Sequence, residues 1–254
     1  MCVDEHAHPP IPVVAGGSGG SISITLESAD GTSFLAHAAR AAKPSGAGMI
    51  VLPDVRGLHA YYRELADRFS EHGIDAVAID YFARTAPDSD RSASFDYQQH
   101  VRRTASETTT ADIAAATAYL RSPAGGEVKR IFTIGFCFGG MVSSLQAAAG
   151  HGLSGVVSFY GWPEGLGFPG WQQTPGSMAA AFTCPVLAIY GGADEGIPKA
   201  VIGRYDQALE AAGVEHTTLV FPGAPHSFFD RSQAQFADVS QGAWEAVLAF
   251  VQEH

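Results

Sequence analysis

The chain has 254 residues, 46% of them hydrophobic and 16% charged, enough apolar material for a sizeable core and too much for wholesale disorder. A formal net charge of -11 leaves no electrostatic footprint for nucleic acid or for an anionic membrane surface. No apolar run approaches the ~18 residues of a membrane span, and the first residues lack the basic and apolar regions of a secretory signal.

The first 20 residues read as a flexible tail ending in a Gly-rich link. His6 and His8 lie in that polar tail, a mobile setting that argues against a built metal site. From there to residue 254 nothing marks a second composition or an internal repeat, so a single domain is expected. Residues 21–27 alternate strictly and predict a strand. A Ser-Ala-Asp-Gly turn returns the chain as its hairpin partner over 33–39. Residues 49–52 form a short apolar strand ending at Pro53. A helix is predicted over 60–72, with Tyr61, Leu65 and Phe69 on one face and Gly73 as its stop. The next strand is 74–79. Residues 80–106 are polar and irregular, with room for one helix, and a long helix follows over 109–120.

Strand 130–134 and helix 141–149 enclose the hexapeptide Gly135-Phe-Cys137-Phe-Gly139-Gly140. Beyond it come strand 153–160, a Gly-, Pro- and Trp-rich loop over 161–183, strand 185–190, helix 198–212, strand 216–221 and a closing helix 235–252. A leading hairpin followed by alternating strands and helices predicts an α/β fold. Its central sheet is mostly parallel, with an N-terminal antiparallel hairpin and helices on both faces.

Strand, Gly-x-Cys-x-Gly-Gly, helix is the pattern of a nucleophile elbow with cysteine in the serine position. The sharp turn and the close passage of neighbouring backbones call for residues without a Cβ. The helix N-terminus behind Cys137 favours a thiolate and, later, an oxyanion. The competing reading is a buried structural cysteine in an ordinary βα turn. Three cysteines (Cys2, Cys137, Cys184) without metal-ligand spacing give no disulfide framework and suit a reducing, cytoplasmic setting.

A cysteine nucleophile needs a base, and the base needs a group that orients it. Asp194 follows the strand at 185–190 and His226 follows the strand at 216–221. Both therefore sit at the sheet edge where open α/β sheets bind ligands. Glu195 is the rival acid. The other histidines lack a strand-end setting with an acid one strand earlier. Cys137, Asp194, His226 is the order nucleophile, acid, histidine found in α/β-hydrolases.

These residues resemble the dienelactone hydrolases (carboxymethylenebutenolidases), a family with the α/β-hydrolase fold. The carriers are Leu52-Pro-Asp54-Val-Arg-Gly57, Asp80-Tyr-Phe-Ala-Arg84, the cysteine elbow, Phe159-Tyr160-Gly161, Gly191-Gly-Ala-Asp194 and Ala224-Pro-His226-Ser-Phe228. The resemblance runs from about Met49 to the C-terminus. It implies cofactor-free hydrolysis of an unsaturated lactone or a related small ester. Asp54 would stand where the family has a carboxylate, usually Glu, that partners the resting thiol. The backbone N–H groups of Val55 and Phe138 would form the oxyanion hole. Where the family has an arginine for the substrate carboxylate, this chain has Asp230, with Arg231 one residue later. A second family arginine corresponds to Arg91, Arg102 or Arg103. Phe82, Phe136, Phe138, Tyr160, Trp162 and Phe228 suggest an apolar pocket, with Tyr160 and Arg231 as substrate contacts.

The leading expectation is thus a cysteine-dependent hydrolase of a small lactone or ester, working through an acyl-enzyme and without metal. Glutamine amidotransferases share the elbow, but His226 is followed by Ser227 and Phe228 rather than their His-x-Glu. A ligand-binding protein without activity, or a thioesterase or acyltransferase, are the alternatives on the same scaffold. Asp230, expected near the pocket mouth, would repel an anionic lactone and favour a neutral one.

Overall fold

The computed structural model describes residues 7–86, 91 and 94–254, so Cys2 and His6 lie outside the described residues. One eight-stranded sheet runs through it, in the order β1-β2-β4-β3-β5-β6-β7-β8. Strands β1 (Ser18–Glu27) and β2 (Ser33–Ala41) form the antiparallel hairpin, and β2 also pairs antiparallel with β4 (Asp75–Ile79). Every later pairing is parallel, through β3 (Ala47–Leu52), β5 (Arg130–Phe136), β6 (Gly155–Phe159), β7 (Val186–Gly191) and β8 (His216–Phe221).

The period of two along the strands decides which helix each residue meets. Met49, Val51, Ala76, Ala78, Phe132 and Ile134 face one side with α1 (Ala60–Glu71) and α7 (Ala237–Glu253). Ile50, Leu52, Val77, Ile79 and Ile131 face the other with α3 (Ser106–Arg121) and α4 (Phe138–Gln146). Helices α1 and α7 meet through Phe69 and Trp244, ring centroids 4.7 Å apart. A pair of this kind adds about 1 kcal/mol beyond the area it buries. Helix α1 ends as its glycine predicts. Gly73 takes φ +83°, its N–H donates to Ser70 O at 3.1 Å, and Ile74 N–H donates to Phe69 O at 3.1 Å. That pair of bonds satisfies carbonyls the helix end would otherwise orphan.

Two stretches differ from the sequence pattern, and one agrees with it. The segment expected as a flexible tail is anchored where it is described. Ile11 is buried in the core and Val14 N–H donates to the Glu71 carboxylate at 2.9 Å. The irregular stretch after β4 holds, among its described residues, the one short helix expected there, α2 (Tyr97–Val101). The 161–183 loop contains α5 (Pro175–Met178), started by a capping box between Thr174 and Ser177, and a single 3₁₀ turn. Helix α6 (Lys199–Ala211) links β7 to β8. Among the described residues no helix is long and apolar enough to cross a membrane.

Candidate active site

The turn between β5 and α4 is built from backbone against backbone. A Cβ on Gly135 would lie 1.9 Å from Gly139 O. One on Gly139 would lie 2.2 Å from both Leu52 O and Pro53 O, and one on Gly140 would lie 2.6 Å from Phe159 O. No side chain fits at these three points, which explains the glycines better than any helix propensity. It also explains why α4 starts at Phe138, three residues before the sequence pattern places it. Glycines depress local helix preference, but packing overrides it. Cys137 is the N-cap of α4, held at φ +58°, ψ -118° and 1% exposed. A non-glycine residue at positive φ costs on the order of 1–3 kcal/mol and persists only where its surroundings over-determine it. The Cys137 N–H donates to Phe159 O at 3.0 Å, which ties the turn to β6. Phe138, the first residue of α4, carries one of the N–H groups that have no acceptor within the helix. The close approach of Gly139 to Leu52 and Pro53 brings the exit of β3 against the same turn, and Val55 follows two residues on.

Asp194 and His226 leave β7 and β8 and meet. His226 Nδ1 lies 2.7 Å from Asp194 Oδ2, while Asp194 Oδ1 accepts from Gly196 N–H at 2.8 Å. With both oxygens engaged and the side chain 1% exposed, Asp194 is a fixed acceptor. Glu195 points to solvent as an exposed residue, so the choice between the two acids falls on Asp194. A carboxylate at Nδ1 selects the tautomer with its proton there and leaves Nε2 for chemistry. Two rings flank the imidazole, Tyr160 and Trp162, each with its centroid 4.9 Å away. Tyr160 sits at φ +38° just past β6, close enough that negative charge on Cys137 would raise its phenol further.

Asp54 is fully buried at the exit of β3, with Oδ1 accepting from Arg56 N–H at 2.9 Å. The Tyr81 hydroxyl bonds the carbonyl oxygens of Pro53 and Asp54 and pins that exit from β4's side. A residue missed in the sequence stands beside it. His59 Nε2 lies 3.8 Å from Asp54 Oδ1, and its ring packs edge-on to Tyr62 at 4.9 Å. Burial, helped by the charges of Arg56 and Arg63, lowers His59 to about 3. The imidazole is therefore neutral beside the carboxylate. Only its position five residues after Asp54 hinted at this, because no strand of its own leads to it.

Asp230 corrects an expectation. Rather than facing a pocket mouth, it has no exposed surface, and its Oδ2 accepts the Tyr160 hydroxyl at 2.9 Å. Its other oxygen accepts the Arg231 N–H. The carboxylate thus serves the wall behind His226, where burial and Asp230 hold the Tyr160 phenol protonated. Arg231, expected at the substrate, is an exposed residue whose backbone holds Asp230. Among the candidate arginines, Arg91 is buried in an ion pair with Asp80 at 2.7 Å and lies over the Phe95 ring at 4.5 Å. Arg102 and Arg103 are exposed, Arg102 over Phe168 at 5.5 Å. Of the aromatic residues expected at a pocket, Phe82, Phe136, Phe138, Tyr160 and Phe228 are fully buried, and Trp162 keeps partial access to solvent. Phe136 stacks on Phe159 at 4.8 Å, so part of this set is core under the site. Cys184 is buried as well, and burial pushes its thiol up to about 11, which makes it inert as a nucleophile.

Comparison with known proteins identifies the family. The model of the dienelactone hydrolase family matches residues 34–254. A protein of Methylorubrum extorquens named "putative carboxymethylenebutenolidase" is 30% identical over 211 residues, 81% of this chain and 72% of that protein. One of the same name from Salmonella typhimurium is 28% identical over 254 residues, covering 98% of this chain and 94% of its own. Among solved structures, a "putative dienelactone hydrolase" from Klebsiella pneumoniae superposes with a TM-score of 0.79 at 25% identity, over 93% of this chain and all of that one. The chain belongs to the dienelactone hydrolase family, has its α/β-hydrolase fold, and is a hydrolase of the lactone and ester class.

Proposed function

We propose that this family member hydrolyses a small lactone or ester through an acyl-enzyme on Cys137, with His226 as general base and acid and Asp194 as its orienting carboxylate. One observation carries the reading: Cys137 is the non-glycine residue that the β5–α4 turn holds at φ +58°. Strain at such a position has to be offset by everything packed around it, and a structural cysteine would give nothing in return.

In the first half-reaction the thiol proton passes to His226 Nε2 as Sγ bonds the substrate carbonyl carbon. The oxyanion so formed lies against the N–H groups of Val55 and Phe138, donors in place before charge develops. Collapse breaks the carbon–oxygen ester bond, and His226 returns its proton to the leaving oxygen. For a lactone that oxygen stays tethered in the same acyl chain. In the second half-reaction water gives a proton to His226 and bonds the thioester carbon. Collapse expels the sulfur, which recovers the proton from His226. Asp194 remains an anion throughout and stabilises the imidazolium. Asp54, buried beside neutral His59, is the candidate partner of the resting thiol. Substrate contacts fall to Tyr160 and its aromatic neighbours. A thiol nucleophile of this kind is best preserved in the reducing cytoplasm.

The test is Cys137→Ala. Hydrolysis of a dienelactone or an aryl ester is expected to disappear, together with covalent labelling by an ester-like electrophile, while circular dichroism stays native. Turnover within tenfold of the parent would overturn the reading.

A further inference from the structure

Four contacts close a circuit around the imidazole of His226. The Trp162 ring lies beside it, tilted, with centroids 4.9 Å apart and planes 38° apart. Trp162 Nε1–H donates to Gly196 O at 3.2 Å. Gly196 N–H in turn donates to Asp194 Oδ1 at 2.8 Å, and Asp194 Oδ2 lies 2.7 Å from His226 Nδ1. Trp162 follows β6, Gly196 follows β7 and His226 follows β8, so one indole links all three loops at this edge of the sheet. Space is tight within the circuit: a Cβ on Gly196 would come within 3.3 Å of Asp194 Oδ1.

The indole packs against the edge of the core but is only partly buried, whereas Trp171 and Trp244 are 4% and 2% exposed. What its face offers is electrostatic. An aromatic ring within about 6 Å attracts a cation through its quadrupole and does little for the neutral ring. Only a difference between the two protonation states can lower a barrier that passes through the charged one. We propose that Trp162 is a positioning residue for the His226–Asp194 couple, and that its indole face stabilises the imidazolium formed when His226 takes up a proton.

This rests on the role proposed above for His226. Around the imidazole, the loop after β7 contributes Asp194, bonded to it, with exposed Glu195 next in sequence. The chain just past β6 contributes Tyr160, its phenol held protonated, and the loop after β8 contributes Asp230 behind that phenol. The elbow contributes Cys137, where negative charge would raise the Tyr160 phenol further. A substitution at Trp162 leaves all five in the chain.

The experiment is an NMR titration of His226 in the full chain, its signal assigned by its loss in His226→Gln. Parent, Trp162→Phe and Trp162→Leu are compared, together with the pH profile of kcat/KM. Trp162→Leu keeps an apolar side chain but removes the ring and with it the quadrupole. It should lower the His226 pKa by about half a unit. The acid limb of the profile should move by the same amount, with kcat down about threefold and KM within twofold. Trp162→Phe, with a weaker face and no N–H, should fall between. An unshifted His226 with activity lost equally at every pH would overturn the proposal, leaving Trp162 a mere spacer. A change confined to KM would overturn it in favour of a substrate contact. Should the leucine variant fail to fold, the phenylalanine variant carries the same test. If His226→Gln keeps its activity, the catalytic reading fails instead, and the titration still reports what the indole does to the ring.

Discussion

The turn that carries Cys137 and the loop that carries His226 meet the same demand by different means. Cys137 is held by main chain: three glycines, two carbonyls of the β3 exit and the carbonyl of Phe159 leave its backbone one path. His226 is held by side chains: the Asp194 carboxylate, the Tyr160 ring pinned by Asp230, and Trp162. Backbone contacts fix a position tightly but cannot be tuned, since any Cβ added to them collides. Side-chain contacts can be tuned, because each has a pKa, a rotamer or a ring face that substitution changes by degrees.

The largest effect expected from this contrast is in activity without loss of fold. His226→Ala should lower kcat/KM by about 10⁴-fold under the proposed mechanism. Its thermal midpoint should stay within a few degrees, because only side-chain contacts at the rim are lost. A collapse in stability would break the comparison. On the backbone side the order reverses. Gly139→Ala places a methyl 2.2 Å from two carbonyl oxygens of another strand's exit, and neither can rotate away. Denaturant unfolding should show a loss of about 4 kcal/mol or more, or no soluble protein at all.

Protons sharpen the contrast further, since main-chain contacts have none to lose. His59 is neutral in the folded protein down to about 3, whereas an unfolded histidine titrates near 6.5. As pH falls through 6.5 the unfolded chain takes up this proton first. The stability due to the neutral ring is therefore complete above 6.5 and lost progressively toward 3. At an intermediate pH of about 4.5 the loss should be on the order of 2–3 kcal/mol. Urea midpoints measured at neutral and acid pH should show it for the parent and much less of it for His59→Leu. Equal acid sensitivity in both proteins would place the acid-labile group elsewhere. The smallest effect is a gain. Cys137→Gly removes the strain at φ +58°, so the inactive variant should be more stable by about 1 kcal/mol. A variant less stable than the parent would show that the thiol's own packing outweighs the strain.

The strands, the helices and the elbow were legible in the sequence because they are written at short range. Alternation with period two marked β1 and β2, and it also assigns each residue of β3, β4 and β5 to one helix layer. Gly73 stopped α1 where its conformational freedom allows two reverse hydrogen bonds. Glycine either side of Cys137, with a strand before and a helix after, announced a turn that no side chain could enter. The order of cysteine, aspartate and histidine at three strand ends followed from the topology that these patterns imply.

What remained illegible depends on which distant groups share a buried space. Neighbouring Asp194 and Glu195 look alike as text, and only the approach of His226 from the next strand separates them. Asp230 read as a charge at a pocket mouth, yet it is folded inward because the Tyr160 hydroxyl, 70 residues earlier in the chain, supplies a partner for it there. Arg91 read as one of three candidate cations for a substrate, but Asp80 takes it into an ion pair out of water. Neutral His59 beside Asp54 had no local signature beyond its place five residues on, since its protonation is set by burial and by Arg56 and Arg63 together. Where backbone geometry is decided by neighbours in sequence, the sequence determined it, and at the elbow neighbours in space completed it. The charge, orientation and partner of a polar side chain are decided by desolvation and by neighbours in space, and those came into being only with the tertiary structure.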